Sequence, residues 1–506
     1  MAAKIAILVI YLVTLILIGV YCRKKTKSVS DFVLGGRSVG SWLAAFAFGT
    51  SYFSAVIFIG YAGQFGWSYG VSATWIGIGN ALLGSMLAWL VMGNRTRCMT
   101  KHLNSSTMPE FFEKRYNSKT LKLSSAVIIF IFLIPYTASV YNGLSRIFEM
   151  AFNIPYEACI IAMALLTAVY VILGGYMATA ISDFVQGIIM LVGIIAVIVC
   201  VIRYNGGMGE SLDLLGKITD TKIPENSLNT IFGPDPINLF GVVILTSLGT
   251  WGLPQMVHKF YAIKDKSAVK KGTIISTLFA VVVAGGSYFF GGFGRLFTTA
   301  DEITVNGKAA FDMIVPTMLQ KSLPTALVGL IVVLVLSASM STLSSLVLTS
   351  SSTVTLDLIK PACKKGLSEK KQVLIMRIFI FVFLLLSVAV ALMKNTYITP
   401  LMSISWGALA GAFLGPFIWG LYSKKITTAA CLTSFITGVG ITVAHMCIFT
   451  LGGVKGTICG FNLASPINAG AFAMILSLVI VPVVSCFTKK QDKASVDEIF
   501  SCYNEK

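Results

Sequence analysis

The chain has 506 residues, of which 56% are hydrophobic and only 12% are charged, and its mean hydropathy is +0.83. A soluble protein of this length could not bury so much apolar surface, so the composition predicts a protein that crosses the membrane several times. The net charge of +18 does not indicate nucleic-acid binding, because the basic residues are spread over many loops. The ten cysteines include no CxxC motif and the three histidines have no metal-ligand spacing, so neither a disulfide framework nor a zinc site is predicted.

Apolar runs that could cross about 30 Å of hydrocarbon occur about thirteen times, which predicts an all-α membrane fold in one polytopic domain over 1–506. The first run is expected to be a retained helix and not a cleaved signal peptide, because its basic cluster at 23–25 follows the apolar residues. The predicted spans are 4–22, 41–61, 74–93, 123–148, 156–176, 183–202, 238–257, 273–294, 323–355, 372–393, 399–421, 426–450 and 468–488.

The distribution of basic residues over alternate loops predicts the orientation of these spans. One alternate set of loops, together with the C-terminal tail and Arg377, holds 29 of the 39 Lys and Arg residues. Because basic residues are enriched in cytoplasmic loops, this set is predicted to face the cytoplasm. An odd number of spans then places the N-terminus outside the plasma (inner) membrane and the tail 489–506 in the cytoplasm, where its polar sequence predicts mobility.

Two predicted spans are interrupted near their centres. The second contains Gly49-Thr50-Ser51 and Ser54, and the seventh contains the sequence LGTWGLP at 248–254. Glycine favours unwinding, proline lacks an amide hydrogen, and non-helical backbone at membrane depth survives where it lines a cavity or is buried in protein. Matching interruptions five helices apart predict an inverted-repeat secondary transporter, with repeats over 41–202 and 238–421. Ordinary kinks and packing glycines remain the alternative.

The ninth predicted span contains a dense run of hydroxyl residues. In 337–355, twelve of nineteen side chains are Ser or Thr, and none is charged. On a helix, four positions share an arc of about 100°; they are Ala338, Ser341, Thr342 and Ser345. A row of neutral oxygens can replace the hydration shell of a small hard cation, but small residues also let helices approach closely. The pattern alone leaves both interpretations open.

Asp183 is an acid at the start of the sixth predicted span. A charged side chain inside the membrane is costly, so an acid in this position commonly has a function. Aspartate is also a good helix N-cap, and that role stays open.

Other classes of membrane protein have less support. The sequence lacks the symmetric filter signature of a channel, the convergent His, Glu or metal cluster of a membrane enzyme, and the GxxxxGK[ST] loop of an ATP-driven pump. Its cytoplasmic loops are too short for the signalling domain of a typical receptor.

Several stretches resemble the sodium/solute symporter family, which includes carriers of proline, pantothenate, sialic acid, sugars, iodide and monocarboxylates. The resemblance covers about 4–425, and it implies a leucine-transporter-type fold, with a five-plus-five inverted repeat and flanking helices. It also implies Na⁺-coupled symport of a small organic solute by alternating access, while an H⁺-coupled symporter of the same fold or an ion channel remains the alternative. The resembling stretches are 31–37 (DFVLGGR), Gly174-Gly175 with Asp183 and Gln186-Gly187, 338–344 (ASMSTLS) and Asp357-Leu358.

The resemblance further implies sodium sites between the second and ninth spans. The main site consists of the backbone carbonyls of Thr50, Phe53 and Ala338 and the hydroxyls of Ser341 and Thr342. Because these oxygens carry no fixed charge, the site is expected to bind Na⁺ weakly enough to release it again.

A second sodium ion is predicted at the start of the sixth span, at positions where the sialic acid branch of the family resembles this chain. Its expected ligands are Asp183 and the hydroxyls of Ser341, Ser344 and Ser345. A cation there would offset the cost of a carboxylate at membrane depth.

The solute is less well defined by the resemblance. Tyr136 matches an aromatic that the proline carriers use, but Tyr52, Val56, Thr246 and Thr250 replace an acid and three aromatics of those carriers. These departures argue against proline, and the sequences around the two breaks look closer to the pantothenate carriers and also resemble monocarboxylate carriers.

The expected solute is therefore an anionic or zwitterionic compound such as pantothenate, a monocarboxylate, proline or sialic acid. The residues predicted around it are Ser54, Ile57, Tyr136, Thr250, Trp251 and Trp406. The expected partners are this solute, Na⁺ and membrane lipid, with no nucleic acid, and the protein is expected to act as a monomer without enzymatic activity.

Overall fold

The computed structural model describes residues 2–24, 26, 28–152, 154–220, 223–305, 308–363, 366–393 and 398–504, which are mostly helical. Helices dominate because apolar segments in lipid must satisfy their backbone hydrogen bonds internally. The first ten helices are α1 (Ala2–Arg23), α2 (Val29–Leu34), α3 (Ser41–Tyr52), α4 (Ala62–Tyr69), α5 (Thr74–Gly79), α6 (Asn94–His102), α7 (Met108–Tyr116), α8 (Lys119–Phe152), α9 (Tyr156–Tyr204) and α10 (Met208–Gly216).

The remaining helices complete the predicted second repeat and the flanking elements. They are α11 (Pro236–Gly252), α12 (Pro254–Tyr261), α13 (Lys266–Ala280), α14 (Gly286–Gly291), α15 (Ile314–Ser322), α16 (Thr325–Thr353), α17 (Lys360–Ala362), α18 (Glu369–Leu392), α19 (Ile398–Tyr422), α20 (Thr428–His445), α21 (Pro466–Phe487) and α22 (Lys493–Phe500). Two short antiparallel strand pairs lie in loops: β1 (Thr304–Val305) with β2 (Lys308–Ala309), and β3 (Thr457–Ile458) with β4 (Phe461–Asn462).

Within the described residues, nine helical stretches are long and apolar enough to cross a membrane, and a bent pair forms a tenth. Two of them, Val56–His102 and Tyr156–Tyr204, are 47 and 49 residues long, about twice the length that one crossing needs. Each contains a glycine at positive φ, Gly70 (61°) and Gly175 (56°), where the absence of a Cβ lets the chain turn. The all-α membrane fold is confirmed, while the total of about thirteen crossings and the repeat boundaries stay predictions.

The first broken helix is interrupted slightly later than its glycine suggests. Helix α3 ends at Tyr52, and Phe53 is extended, with φ −84° and ψ 117°. The Phe53 amide still donates to the Gly49 carbonyl at 3.1 Å, so the last turn of α3 stays intact through Gly49-Thr50-Ser51. The helical path then resumes in the segment Val56–Tyr61. The break therefore lies at Phe53 and Ser54.

The second broken helix has the same local geometry. Helix α11 ends before Leu253, which is extended with φ −74° and ψ 125°, and its amide donates to the Gly249 carbonyl at 3.1 Å. Helix α12 restarts at Pro254, whose fixed φ and missing amide hydrogen suit a first helical position. The axis bends by 46° between the two halves. The predicted pair of broken helices is thus present.

The N-cap interpretation of Asp183 is wrong. Within α9 only Gly175 has non-helical backbone angles, and the helix continues unbroken from there to Tyr204. Asp183 therefore lies about two turns inside the helix, where capping is not available to it.

The predicted mobility of the C-terminal tail is also not observed, because the tail folds back onto the protein. Helix α22 buries Val496, Ile499 and Phe500, whose spacing places them on one helix face. Beyond it, the Tyr503 hydroxyl donates to the Arg95 carbonyl at 3.4 Å, and the Arg95 guanidinium lies 4.6 Å from the centre of the Tyr503 ring. An amphipathic pattern in a short polar segment is the signal that the sequence offered for this docking.

Candidate sodium and solute sites

Helix α16 carries the dense run of hydroxyls into the protein interior, where these side chains are all buried. Some of them only bond their own helix, because Ser339 and Ser344 donate to carbonyls one turn earlier at 2.8 Å. Such residues serve close helix packing. Three others reach across to α3 instead: Ser341, Thr342 and Ser345. The packing interpretation therefore applies to Ser339 and Ser344, and cation binding by the other three stays a prediction.

Thr342 lies at the break of the first broken helix. Its hydroxyl oxygen is 3.2 Å from the Ser51 carbonyl, 3.4 Å from the Phe53 carbonyl and 3.2 Å from the Ala338 carbonyl. A helix end leaves carbonyls without an intrahelical partner, so the break makes oxygens of this kind available. Several neutral oxygens around one point are the ligands that a hard monovalent cation takes in place of water.

Ser341 adds a second contact between the same two helices. Its hydroxyl donates to the Thr50 hydroxyl oxygen at 2.7 Å, and Thr50 in turn donates to the Phe46 carbonyl at 2.8 Å. All these side chains are buried. The five residues predicted for the main sodium site are therefore close together, with Thr50 offering a hydroxyl and Ser51 an additional carbonyl.

Asp183 faces a residue that the sequence analysis did not place in the membrane. The Lys259 ammonium lies 3.5 Å from the Asp183 carboxylate and 2.9 Å from the Ser345 hydroxyl oxygen. The side chains of Lys259 and Asp183 are only 3% and 0% exposed. The predicted seventh span ended at 257, which assigned Lys259 to a loop. The sequence signal that was missed is the interruption of the helix. A broken helix continues past its break, so its second half, α12, places Lys259 in the protein interior.

The four residues predicted for a second sodium ion are only partly brought together. Ser345 and Asp183 both contact the Lys259 ammonium. The Ser341 hydroxyl donates to Thr50 and also lies beside the Asp183 carboxylate, whereas the Ser344 hydroxyl donates to the carbonyl of Ser341 on its own helix. A second sodium site with these ligands stays a prediction.

The predicted solute residues Tyr136 and Trp406 form an aromatic cluster with Tyr52, next to the first break. The centre of the Trp406 ring lies 5.8 Å from that of Tyr52 and 5.9 Å from that of Tyr136. In the described part of the chain, the two tyrosine hydroxyls and the Trp406 indole N–H are buried and make no well-aligned hydrogen bond, although Tyr136 lies beside the Trp406 indole and Tyr52 lies beside the Thr246 hydroxyl. A ligand that accepts hydrogen bonds at this point would give these donors well-aligned partners.

The other predicted solute residues are engaged within the protein. The Thr250 hydroxyl donates to the Gly84 carbonyl at 2.8 Å, and the Trp251 indole donates to the Leu83 carbonyl at 2.9 Å. These bonds fasten the second broken helix to its neighbour. The Ser54 hydroxyl accepts the Val56 amide at 3.2 Å and so caps the helical segment that follows the first break. Ile57 is buried in that segment.

One end of the broken helices is closed by backbone hydrogen bonds. The Val39 amide, just before α3, donates to the Ala262 carbonyl just after α12 at 3.1 Å, and the Lys264 amide donates back to Val39 at 3.1 Å. Arg37 adds a bond to the Tyr261 carbonyl at 3.1 Å. This end belongs to the predicted cytoplasmic side. A movement that opens it must separate the two broken helices.

The opposite end of the first broken helix borders a large polar cavity. Its volume is about 630 Å³, and its lining includes Trp67, Asp235, Arg295 and Asn468. By contrast, the space beside the break itself, between Tyr52 and Thr250, is only about 10 Å³. Water and solute can therefore gather near the predicted external face, while the centre is tightly packed.

The arrangement defines a secondary transporter of the leucine-transporter type. Among solved structures, the chain is similar to the substrate-bound, outward-open state of a Na⁺-coupled sialic acid symporter, with a TM-score of 0.74 at 15% identity over 97% of this chain and 99% of that chain. At this identity the likeness establishes the fold.

Curated relatives cover nearly the whole length of the chain. It is 29% identical to the osmoregulated proline transporter OpuE of Bacillus subtilis, over 96% of this chain and 95% of that protein. It is also 29% identical to the sodium/proline symporter of Staphylococcus aureus, over 95% of this chain and 92% of that protein. The sodium:solute symporter family matches residues 32–438, and the chain belongs to this family. It is accordingly a membrane protein that couples solute symport to Na⁺.

Proposed function

We propose that this protein takes up a small carboxylate-bearing solute together with Na⁺ by alternating access. In this proposal it lies in the plasma (inner) membrane with its N-terminus outside and its C-terminus in the cytoplasm. The orientation is supported by the 29 of 39 basic residues on one alternate set of loops and in the tail. The observation that carries the mechanism is the convergence of carbonyls from a helix break on the Thr342 hydroxyl.

The coupling ion binds at Thr50, Phe53, Ala338, Ser341 and Thr342 in this proposal. Five neutral oxygens suit Na⁺. Because the site takes ligands from both α3 and α16, its affinity for Na⁺ depends on the relative position of these two helices. Ser341→Ala and Thr342→Ala should each raise the Na⁺ concentration for half-maximal uptake by about tenfold or more, because contacts to a charged group contribute about 1.5–3 kcal/mol.

Ser339→Ala is the matched control for these two variants. Ser339 lies on the same helix and is equally buried, but its hydroxyl donates only to its own helix, at 2.8 Å. The control should keep the wild-type Na⁺ dependence. If Ser341→Ala and Thr342→Ala also keep it, the ion binds elsewhere. Uptake into proteoliposomes that follows a pH gradient and ignores Na⁺ would assign H⁺ as the coupling ion.

The solute binds at the aromatic cluster of Tyr52, Tyr136 and Trp406. Tyr52, Tyr136 and Trp406 bring three buried donors together, and such a group suits a carboxylate, which offers several lone pairs. The similarity to proline transporters makes proline the first compound to test, although the replacement of an acid by Tyr52 favours a different carboxylate. The panel therefore comprises labelled proline, pantothenate, lactate and sialic acid. A labelled neutral sugar, which has no carboxylate, is included to test the proposed solute class.

A single hydroxyl tests the location of this site. Tyr136→Phe should raise the half-saturating concentration of the transported solute by about tenfold, because a hydrogen bond to a charged group is lost without a change in volume. Its Na⁺ dependence should stay unchanged. Tyr116→Phe is the control, since the buried Tyr116 hydroxyl already donates to the Pro416 carbonyl at 2.6 Å. Saturable transport of the neutral sugar without competition by carboxylates would overturn the proposed solute class.

A further inference from the structure

Lys259 is a buried cation next to the predicted main sodium site. It belongs to α12, the second half of the second broken helix, and its ammonium contacts Asp183 on α9 and Ser345 on α16. The Ser345 hydroxyl lies 2.8 Å from the Ser51 hydroxyl, and the Ser51 carbonyl is one of those that contact Thr342. The ammonium is therefore two side chains away from the main sodium site.

The surroundings of the Lys259 ammonium have the chemistry of a cation site. A carboxylate and a hydroxyl, both buried, supply negative charge and a neutral oxygen, which would equally suit a metal cation. Two positive charges within a few ångströms in a buried setting repel each other strongly. Lys259 and a sodium ion therefore compete for Asp183 and Ser345.

We propose that the Lys259 ammonium is the resident cation of the Asp183–Ser345 pocket, so that this carrier binds one Na⁺ per transport cycle. The proposal rests on the proposed function, because it concerns the number of coupling ions. It also makes Lys259 a residue that determines specificity, since removal of its ammonium leaves a buried carboxylate that a second Na⁺ can neutralise. The second sodium site predicted from the sequence would then exist only in the absence of the lysine charge.

The experiment counts Na⁺ ions and does not require the solute. Radiolabelled Na⁺ is titrated onto the purified full-length carrier, with choline chloride holding the ionic strength constant. The proteins are wild type, Lys259→Gln, the double variant Asp183→Asn/Lys259→Gln, and Lys264→Gln. Lys264 is a matched control, because its ammonium lies 3.6 Å from Asp265 in a pair whose side chains are 54% and 49% exposed.

Wild type and Lys264→Gln should bind one Na⁺ per carrier, and Lys259→Gln should bind two. The double variant should return to one, because it lacks the carboxylate that recruits the second ion. Two ions on wild type, or a single ion on monodisperse Lys259→Gln that retains the main site, would overturn the proposal. No Na⁺ on wild type would instead refute the proposed Na⁺ coupling itself, so the two failures are distinguishable.

Should Lys259→Gln fail to fold, Lys259→Met/Asp183→Asn and Lys259→Arg provide the second measurement. Both leave the pocket without an unpaired carboxylate, so each should bind one Na⁺. A second ion on either of them would overturn the proposal, because neither has an unpaired buried carboxylate to attract it.

Discussion

Separating the charges of Asp183 and Lys259 should cost far more than separating a surface pair. The two groups are 3.5 Å apart and almost fully buried, and at an effective dielectric constant of about 20 Coulomb's law gives an attraction of about 5 kcal/mol. Removing one partner of such a pair typically costs about 3–5 kcal/mol, because the other charge is left buried and unpaired. The exposed pair Lys264–Asp265 should contribute little, because solvent screens its two charges.

A double-mutant cycle measures this difference. The free energy of unfolding is determined in mixed detergent micelles with choline in place of Na⁺, for Lys259→Gln, Asp183→Asn, the double variant and Lys264→Gln. Each single change in the buried pair should lower it by about 3–5 kcal/mol. The double variant should lie within about 1–2 kcal/mol of wild type, because two amides can hydrogen-bond each other without a buried charge.

The result that refutes this reasoning is additivity. If the losses of Asp183→Asn and Lys259→Gln simply add in the double variant, or if each is below about 1 kcal/mol, the two groups are not a coupled buried pair. Repeating the cycle in NaCl provides an independent check. Na⁺ should restore part of the stability of Lys259→Gln, whose carboxylate is unpaired, and should add no comparable stability to Asp183→Asn.

Three further predictions concern packing, gating and the tail. Gly66→Ala should abolish expression of folded protein, measured by fluorescence-detected size exclusion, because its Cβ would lie 1.9 Å from the Gly291 carbonyl oxygen. Arg37→Ala should make cysteines introduced on the predicted cytoplasmic side more accessible to thiol reagents, since it removes the 3.1 Å bond that helps close that end; unchanged labelling rates would contradict this role. Lys424 donates to Asp497 at 2.6 Å and lowers the pKa of that carboxyl, so the contact is fully present above the ordinary aspartate pKa and is lost as the pH falls through the lowered pKa. Asp497→Asn should therefore speed amide exchange in α22 at neutral pH but not at a pH below that lowered pKa, and equal exchange at neutral pH would show that the contact does not hold the tail.

The grouping of the residues proposed for the main sodium site could be predicted from the sequence because its signal is local. Helical periodicity alone aligned Ala338, Ser341 and Thr342, and the family resemblance supplied the facing oxygens of Thr50 and Phe53. These residues lie together in the structure because both elements are regular up to the break. The sequence could not tell which hydroxyls bond their own helix, since that depends on side-chain rotamers and on the neighbouring helix.

Lys259 was missed for a different physical reason. Window hydropathy treats a lysine as the end of a span, which is correct for a straight helix in contact with lipid. A broken helix does not obey this rule, because its second half is surrounded by protein, where a charge can find a partner. Asp183 was a second sequence signal beside the broken helix, since a buried carboxylate requires a cation and the protein supplies one from α12.

The solute residues show the limit of reasoning from sequence position. Thr250 and Trp251 flank the second break, which predicted contact with solute, but their polar atoms bond the carbonyls of Gly84 and Leu83. Only the three-dimensional arrangement separates a side chain that fastens two helices from one that faces an aromatic cluster. Tyr52, noted in the sequence only as a departure from the proline carriers, belongs to the second kind, since its ring lies 5.8 Å from that of Trp406.

Na⁺ coupling requires an ion site that differs between conformations, because a ligand shifts an equilibrium only by its differential affinity for the two states. The oxygens proposed as the sodium site around Thr342 would meet this requirement: Ser51 and Phe53 lie at the end of α3, whereas Ala338 lies on α16. A movement that separates α3 from α16 takes the carbonyls of Ser51 and Phe53 away from the Thr342 hydroxyl, so these oxygens no longer surround one point. The same α3 is tied at its other end by the hydrogen bonds of Val39, which close the predicted cytoplasmic side. Opening that side must move α3, so in the proposed mechanism the release of Na⁺ and the opening of the pathway follow from one displacement.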